Sequence, residues 1–143
     1  MKIILSGAGG GKTAKVAELM AELSHEGKDS LFISGELDIV EFKRYAIRAK
    51  ADLDKLRYSY ATDIDGIVKA VANKDDEKIK KIFIDMGYPV ILDGMSKSAS
   101  TDYILEMLSE IEELHGKDIY ITLQAKVDDE RLNGEKLIIT DYI

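Results

Sequence analysis

Residues 6–13 read Ser6-Gly7-Ala8-Gly9-Gly10-Gly11-Lys12-Thr13, directly after the apolar run Ile3-Ile4-Leu5. A short buried strand, a glycine-rich turn and a Lys-Thr pair opening a helix form an arrangement suited to gripping a nucleoside triphosphate. Backbone N–H groups of such a turn point at phosphate oxygens, and the helix N-terminus adds partial positive charge. On this reading residues Ser6, Gly7, Ala8, Gly9, Gly10, Gly11, Lys12, Thr13 and Ala14 cradle the nucleotide. Lys12 reaches the β- and γ-phosphates, and the Thr13 hydroxyl holds Mg²⁺. The usual pattern begins with glycine and Ser6 stands there instead, but a small residue still permits the turn. The bland alternative, a glycine-rich turn that happens to precede a helix, does not require the strand that stands before it.

Outward from this loop, apolar runs alternate with segments of helical period, which predicts a mostly parallel sheet with helices on its faces. The first strand is expected at 2–5. The first helix, about 12–26, carries Val16, Leu19, Met20 and Leu23 on one face and stops at Gly27. A second strand covers 30–34, with Leu31, Phe32 and Ile33 continuously apolar, as in a sheet covered on both faces. Asp38 and Glu41 predict a capping box for a helix to about Lys50. Residues 52–60 read as a short helix and then a short strand. Thr62 or Asp63 caps a helix through about Ala72, and the charged run 73–81 is expected in solvent.

A third strand, 81–85, ends on an acid, and Val90-Ile91-Leu92 form a candidate extension beyond Pro89. A polar loop, 94–100, precedes an amphipathic helix at about 101–115 with Ile104, Met107, Leu108, Ile111 and Leu114 on its face. A fourth strand is expected at about 118–123. The final strand, about 136–142, is a candidate partner for residues 127–132.

A phosphate loop needs an acid to orient metal and a group to activate water. Asp85 closes Lys81-Ile82-Phe83-Ile84 and matches the Walker B pattern, with a weak first position. Asp93 follows a similar run, but Pro89 makes that stretch a poor central strand, so Asp85 is preferred. Glu36, just past the second strand, sits on the rim where ligands bind in such sheets and can take a proton from attacking water. Gln124, past the fourth strand, can bond the γ-phosphate from the same rim. Solvated loop positions are the plain alternatives for both.

The chain has 143 residues, 45% of them hydrophobic, and a formal net charge of −7. Its length fits a single domain, residues 1–143. The negative balance argues against coating nucleic acid by bulk electrostatics, though not against a local basic loop. There is no cysteine, hence no disulfide framework and no thiolate metal site. No apolar run approaches the roughly 20 residues of a membrane span, and the start is too short for a signal peptide, so a cytoplasmic protein without membrane contact is expected. His25 and His115 lie near helix C-termini, not in a metal site. Tyr58 and Tyr60 read as packing residues before base-stacking ones, and Glu110, Glu112 and Glu113 as a solvated helix face.

The order of phosphate loop, Glu36, Asp85 and Gln124 resembles the RecA-type ATPase core, most closely the DnaB branch of bacterial replicative helicases. Leu31-Phe32-Ile33-Ser34-Gly35-Glu36 with the following helix, Asp52 to Arg57, and Ile121-Thr122-Leu123-Gln124 carry the similarity. The resemblance implies a three-layer α-β-α sandwich, α/β in class, with strand order 5-1-4-3-2 counted over the five principal strands. It implies ATP (or another NTP) with Mg²⁺, with Lys12 and Thr13 on phosphate and metal and Asp85 supporting the metal. Glu36 would then be the general base and Gln124 the γ-phosphate sensor. It further implies homo-oligomers and single-stranded DNA, or a replication or recombination protein, as partners. The strand loops 94–100, with Lys97, and 125–133, with Lys126 and Arg131, would line a channel.

In departure from that family, no primase-binding N-terminal domain and no trans-acting basic residues after Ile143 are expected, and Asp128, Asp129 and Glu130 make one channel loop acidic. Slow hydrolysis is therefore expected in preference to processive unwinding. Two other functions remain open: a non-catalytic module switched by nucleotide, and a small-molecule kinase. The kinase ranks lower because Arg44, Arg48, Arg57 and Arg131 form no dense lid.

Overall fold

The computed structural model describes residues 1–85, 94–126 and 128–142. The elements are β1 (Lys2–Ser6), α1 (Lys12–His25), β2 (Ser30–Ser34), α2 (Ile39–Arg48), β3 (Leu56–Tyr60), α3 (Ile64–Val71), β4 (Lys81–Asp85), α4 (Lys97–His115), β5 (Asp118–Gln124) and β6 (Leu137–Asp141). Short 3-10 turns cover Leu53–Lys55, Lys74–Asp76 and Glu130–Leu132. One six-stranded sheet runs β3-β2-β4-β5-β1-β6. Among the described strands only β6 is antiparallel to its neighbour. Over the five principal strands this is the expected order, with β3 added as an outer edge.

Side chains alternate strictly across the sheet. Ile3, Leu5, Leu31, Ile33, Ile82, Ile84, Ile119 and Ile121 face α3 and α4, through residues such as Ile67, Val71, Ile104 and Leu108. Ile4, Phe32 and Phe83 face the other way, onto Val16 and Met20 of α1 and Phe42 and Ala46 of α2. Each such side chain, removed from water, contributes roughly 1.5–3 kcal/mol, so both faces must be covered and three layers result. Phe32 stacks on Phe42 at 4.5 Å and Phe83 on Tyr120 at 4.6 Å.

Local signals end the helices where expected. Lys28 and Gly27 amides bond the carbonyls of Leu23 and Ser24 behind α1, with Gly27 at φ 77°. The Asp38 carboxylate accepts from the Glu41 amide at 2.8 Å, and Asp63, not Thr62, caps α3 through the Gly66 amide at 2.7 Å.

Several expectations are corrected. The loop at 94–100 is shorter, because the Ser96 hydroxyl caps the Ala99 amide at 3.1 Å and α4 already begins at Lys97. Leu114 is 79% exposed. At about 100° per residue it lies some 120° round the helix from Leu108, and Leu105 fills the buried stripe instead. Strand β6 pairs with β1, while Glu130–Leu132 form a 3-10 turn.

The run 73–81 is not simply solvated, since Ile79 is buried and the Lys117 ammonium donates to the carbonyls of Asp76, Glu77 and Ile79 at 3.1, 3.2 and 2.6 Å. Nor is Glu112 solvated: it accepts from the Met1 ammonium and the Ile119 amide, both at 2.7 Å. Asp93, Pro89 and the Val90–Leu92 extension lie outside the described residues.

Candidate nucleotide site

At the carboxyl ends of the strands a cleft of about 340 Å³ is lined by Gly9, Gly10, Gly11, Lys12, Thr13, Ala14, Glu36, Tyr45, Asp85 and Gln124. Five separate stretches of sequence meet there. The parallel registers explain how: Ser6 pairs with Gln124, and Ser34 with Asp85. Strand β5 separates β1 from β4, so these two strands run two strand spacings, roughly 9–10 Å, apart.

The glycine turn folds back on itself, the Gly10 amide donating to the Gly7 carbonyl at 3.0 Å. Gly10 is the position that admits no side chain. A Cβ there would meet the Ser6 Cβ at 2.7 Å and the Lys136 carbonyl oxygen at 2.9 Å. Ser6 is fully buried at the end of β1, so its small side chain is as much as the turn tolerates. The turn delivers Gly11, at φ 81°, as N-cap of α1, with no side chain capping the first helical amides. Uncapped N–H groups and the positive end of a 14-residue helix therefore open onto the cleft.

Asp85 lies on the cleft floor, only 8% exposed. Its carboxylate accepts from the Thr122 hydroxyl at 2.9 Å and the Ser34 hydroxyl at 3.3 Å. Ser34 Oγ in turn accepts from the amides of Glu36 and Leu37 at 3.1 and 3.0 Å. One relay thus fixes the floor acid and the loop bearing Glu36. The backbone holds that loop close as well, because a Cβ on Gly35 would meet the Ala61 carbonyl oxygen at 2.5 Å. Glu36 itself is exposed on the rim.

Sequence reasoning missed Ser34, Thr122 and Tyr45. The first two looked like ordinary strand residues, and only the register of β2, β4 and β5 aims them at Asp85. Tyr45 is half-buried on α2, with the Arg48 guanidinium 5.9 Å from its ring centroid. Its position on the cleft follows from α2 packing against α1. Tyr58 packs beside Phe42 and Phe32 and bonds the Leu37 carbonyl, whereas Tyr60 is exposed. Arg131 is held by a two-pronged pair with Asp129, at 3.0 and 2.8 Å, which raises the pKa of the guanidinium and lowers that of the carboxyl. His25 bonds the Lys50 carbonyl at 2.8 Å.

Among the described residues no three His, Cys, Asp or Glu side chains cluster to hold a metal. The oxygen groups lining the cleft include the Thr13 hydroxyl and the Asp85 carboxylate, hard donors that suit Mg²⁺ completed by phosphate and water.

No protein-family profile matches this chain, and no curated protein sequence does. Solved structures do. A DnaB-like replicative helicase, described with its interactions with primase, superposes with a TM-score of 0.68 at 11% identity, over 90% of this chain. A second solved structure, described as an ATPase domain, superposes with a TM-score of 0.67 at 10% identity, also over 90% of this chain. The fold is that of the RecA-like ATPase core of DnaB-type helicases. The chain spans 39% of the first of those structures and 58% of the second. No described helix is long and apolar enough to cross a membrane.

Proposed function

We propose that the chain binds ATP, or another nucleoside triphosphate, with Mg²⁺ and hydrolyses it slowly. One observation carries this: the glycine turn, Lys12, Thr13, Glu36, Asp85 and Gln124 all line a single cleft. The turn amides and the α1 N-terminus would hold the phosphates, and the Lys12 ammonium would neutralise charge on the β and γ groups. Thr13 and Asp85 would hold the metal, which when bound supplies charge neutralisation on the phosphates. Glu36 would take a proton from the attacking water, and Gln124 would bond the γ-phosphate from the end of β5.

The likeness to helicase domains supports assembly with further copies and action beside single-stranded nucleic acid or a replication or recombination protein, in the cytoplasm. Lys12 is the only cation among the described residues lining the cleft. That favours slow turnover over fast, and it also supports the second reading, a module switched by nucleotide occupancy.

Calorimetric titration with Mg-ATP tests the proposal. Lys12→Ala is expected to abolish binding, and unchanged affinity would overturn the phosphate assignment. ATP turnover by the unmodified chain, measured with and without single-stranded DNA beside its solution mass, separates the two readings. Turnover supports the ATPase, and tight binding without turnover supports the switch.

A further inference from the structure

Helix α2 buries Phe42 and Ala46, yet its outward side is not polar. Val40 and Ile47 stand there, 56% and 61% exposed. Seven residues apart, they lie within about 20° of each other round the helix and about 10 Å apart along it, roughly two turns. Ile39 is exposed on the same helix, and Leu53 is exposed on the 3-10 turn that folds against it. Eight large apolar side chains are exposed among the described residues, and half of them belong to α2 and this turn. Single exposed apolar residues need no explanation, but a concentration of them marks an interaction surface.

Cations border the strip on both sides. At about 100° per residue, Lys43 lies some 40–60° to one side of the Val40–Ile47 line, and Arg44 as far to the other. Arg48 follows on the Arg44 side. Lys43, Arg44 and Arg48 form no ion pair among the described residues. The one carboxylate within α2, Glu41, lies beyond Arg44, about 100–120° from the strip. The surface is therefore apolar along its centre and positive along both borders, in a chain of net charge −7.

That pattern selects its complement. Two aliphatic side chains at the centre give no ring on which a base could stack. They also form too short a strip to anchor in a lipid surface, and an anionic lipid would repel the chain's net charge. A second copy fits poorly. Pairing α2 with its own equivalent sets Lys43 and Arg44 near like charges. Helix α4 presents Glu106 and Glu110 at the middle of its outward face, each about 160° round from the buried Leu108. Pressed onto Val40 and Ile47, those carboxylates would lose water without meeting a cation. The fitting occupant is a helix with an apolar seam bordered by Asp or Glu, so that the seam covers Val40 and Ile47 while the acids meet Lys43 and Arg44.

We propose that the outward face of α2 docks an amphipathic helix of another protein whose apolar seam is bordered by carboxylates. A contact two turns long is small, so the complex is transient. It requires no nucleotide in the cleft.

The test is fluorescence anisotropy with a labelled synthetic 18-residue helix carrying leucine along one seam and glutamate on both borders. Its counterpart carries lysine in place of glutamate. The unmodified chain is expected to bind the glutamate helix and not the lysine helix. Both Val40→Ser/Ile47→Ser and Lys43→Glu/Arg44→Glu are expected to lose about tenfold or more in affinity, and the second to gain affinity for the lysine helix. All four sites are exposed, so circular dichroism and Mg-ATP affinity should be unchanged. Absence of glutamate-helix binding at low salt overturns the proposal, as does binding that either double variant leaves intact. Two further outcomes overturn it: self-association in sedimentation that Val40→Ser/Ile47→Ser abolishes, which assigns the face to a second copy, and binding to phosphatidylglycerol vesicles lost in the same variant, which assigns it to a membrane. Failure of Mg-ATP binding alone would count against the nucleotide cleft and leave this surface standing.

Discussion

The Thr122 hydroxyl donates to the Asp85 carboxylate at 2.9 Å, from the β5 residue that lies directly beside Asp85 in the sheet. The Ser34 hydroxyl approaches the other carboxylate oxygen at 3.3 Å from β2, so two strands clamp the acid that closes β4. Asp85 is only 8% exposed, and an unpaired buried carboxylate is costly, so these donors support the fold as well as orienting the acid.

Thr122→Val should therefore cost about 1–3 kcal/mol of unfolding free energy, with Thr122→Ser recovering most of it. Ser34→Ala should cost more, because the amides of Glu36 and Leu37 lose their acceptor together with the Asp85 contact. Urea denaturation checks the order. If Ser34→Ala is the milder variant, the relay through Ser34 Oγ is not what holds the loop.

How much of this was legible in the sequence divides along physical lines. The strands facing two helical layers, the glycine turn and the caps at Asp38 and Asp63 are local chemistry, readable from neighbouring residues. The placement of Glu36, Asp85 and Gln124 on one rim followed once the strands were taken as parallel. Ser34 and Thr122 could not be read this way, since nothing in their own segments says which strand lies beside them. Glu112 looked like surface charge for the same reason. One of its partners, the Ile119 amide, is brought near by the turn from α4 into β5.

Gly35 tests how the rim acid is placed. A methyl group there would approach the Ala61 carbonyl oxygen to 2.5 Å and Thr62 Cα to 3.1 Å, backbone atoms that cannot swing aside. Gly35→Ala is expected to lose about 1–3 kcal/mol of stability through overpacking. Because the shift falls next to Glu36, turnover should drop more than Mg-ATP affinity. Paired calorimetry and phosphate-release assays give the split, and an equal fall in both would mean that the loop does not position the base.

Lys117 is 6% exposed and its ammonium donates to three carbonyls that pin the segment before β4. Lys117→Met keeps the bulk and removes the donors, at an expected cost of about 1–3 kcal/mol. Its pKa in the fold lies below the ordinary 10.5, first through burial and then through Lys80. Between the lowered value and 10.5 the unfolded chain binds more protons than the folded one, so this residue's contribution to stability rises with pH. Denaturation midpoints of the unmodified chain, taken relative to Lys117→Met, should therefore widen towards high pH. A gap that narrows instead would contradict the lowered pKa.

Glu36 and Asp85 are both acids on one cleft, yet their settings differ enough to predict opposite behaviour. Glu36 is exposed at the rim and no protein donor holds its carboxylate among the described contacts, so it is free to take a proton from water. Asp85 is buried with both oxygens engaged, which suits a fixed anion supporting a cation and not a proton acceptor. Glu36→Gln is thus expected to leave Mg-ATP affinity within about twofold while lowering turnover by about 10²–10⁴-fold, the usual contribution of a general base. Asp85→Asn should instead weaken the Mg²⁺ dependence: the rise in ATP affinity on adding Mg²⁺ to metal-stripped protein should shrink. Titrating Mg²⁺ into each variant at fixed ATP separates the two. If Glu36→Gln shifts the Mg²⁺ midpoint and Asp85→Asn does not, the two roles are exchanged, and the rim acid belongs to the metal.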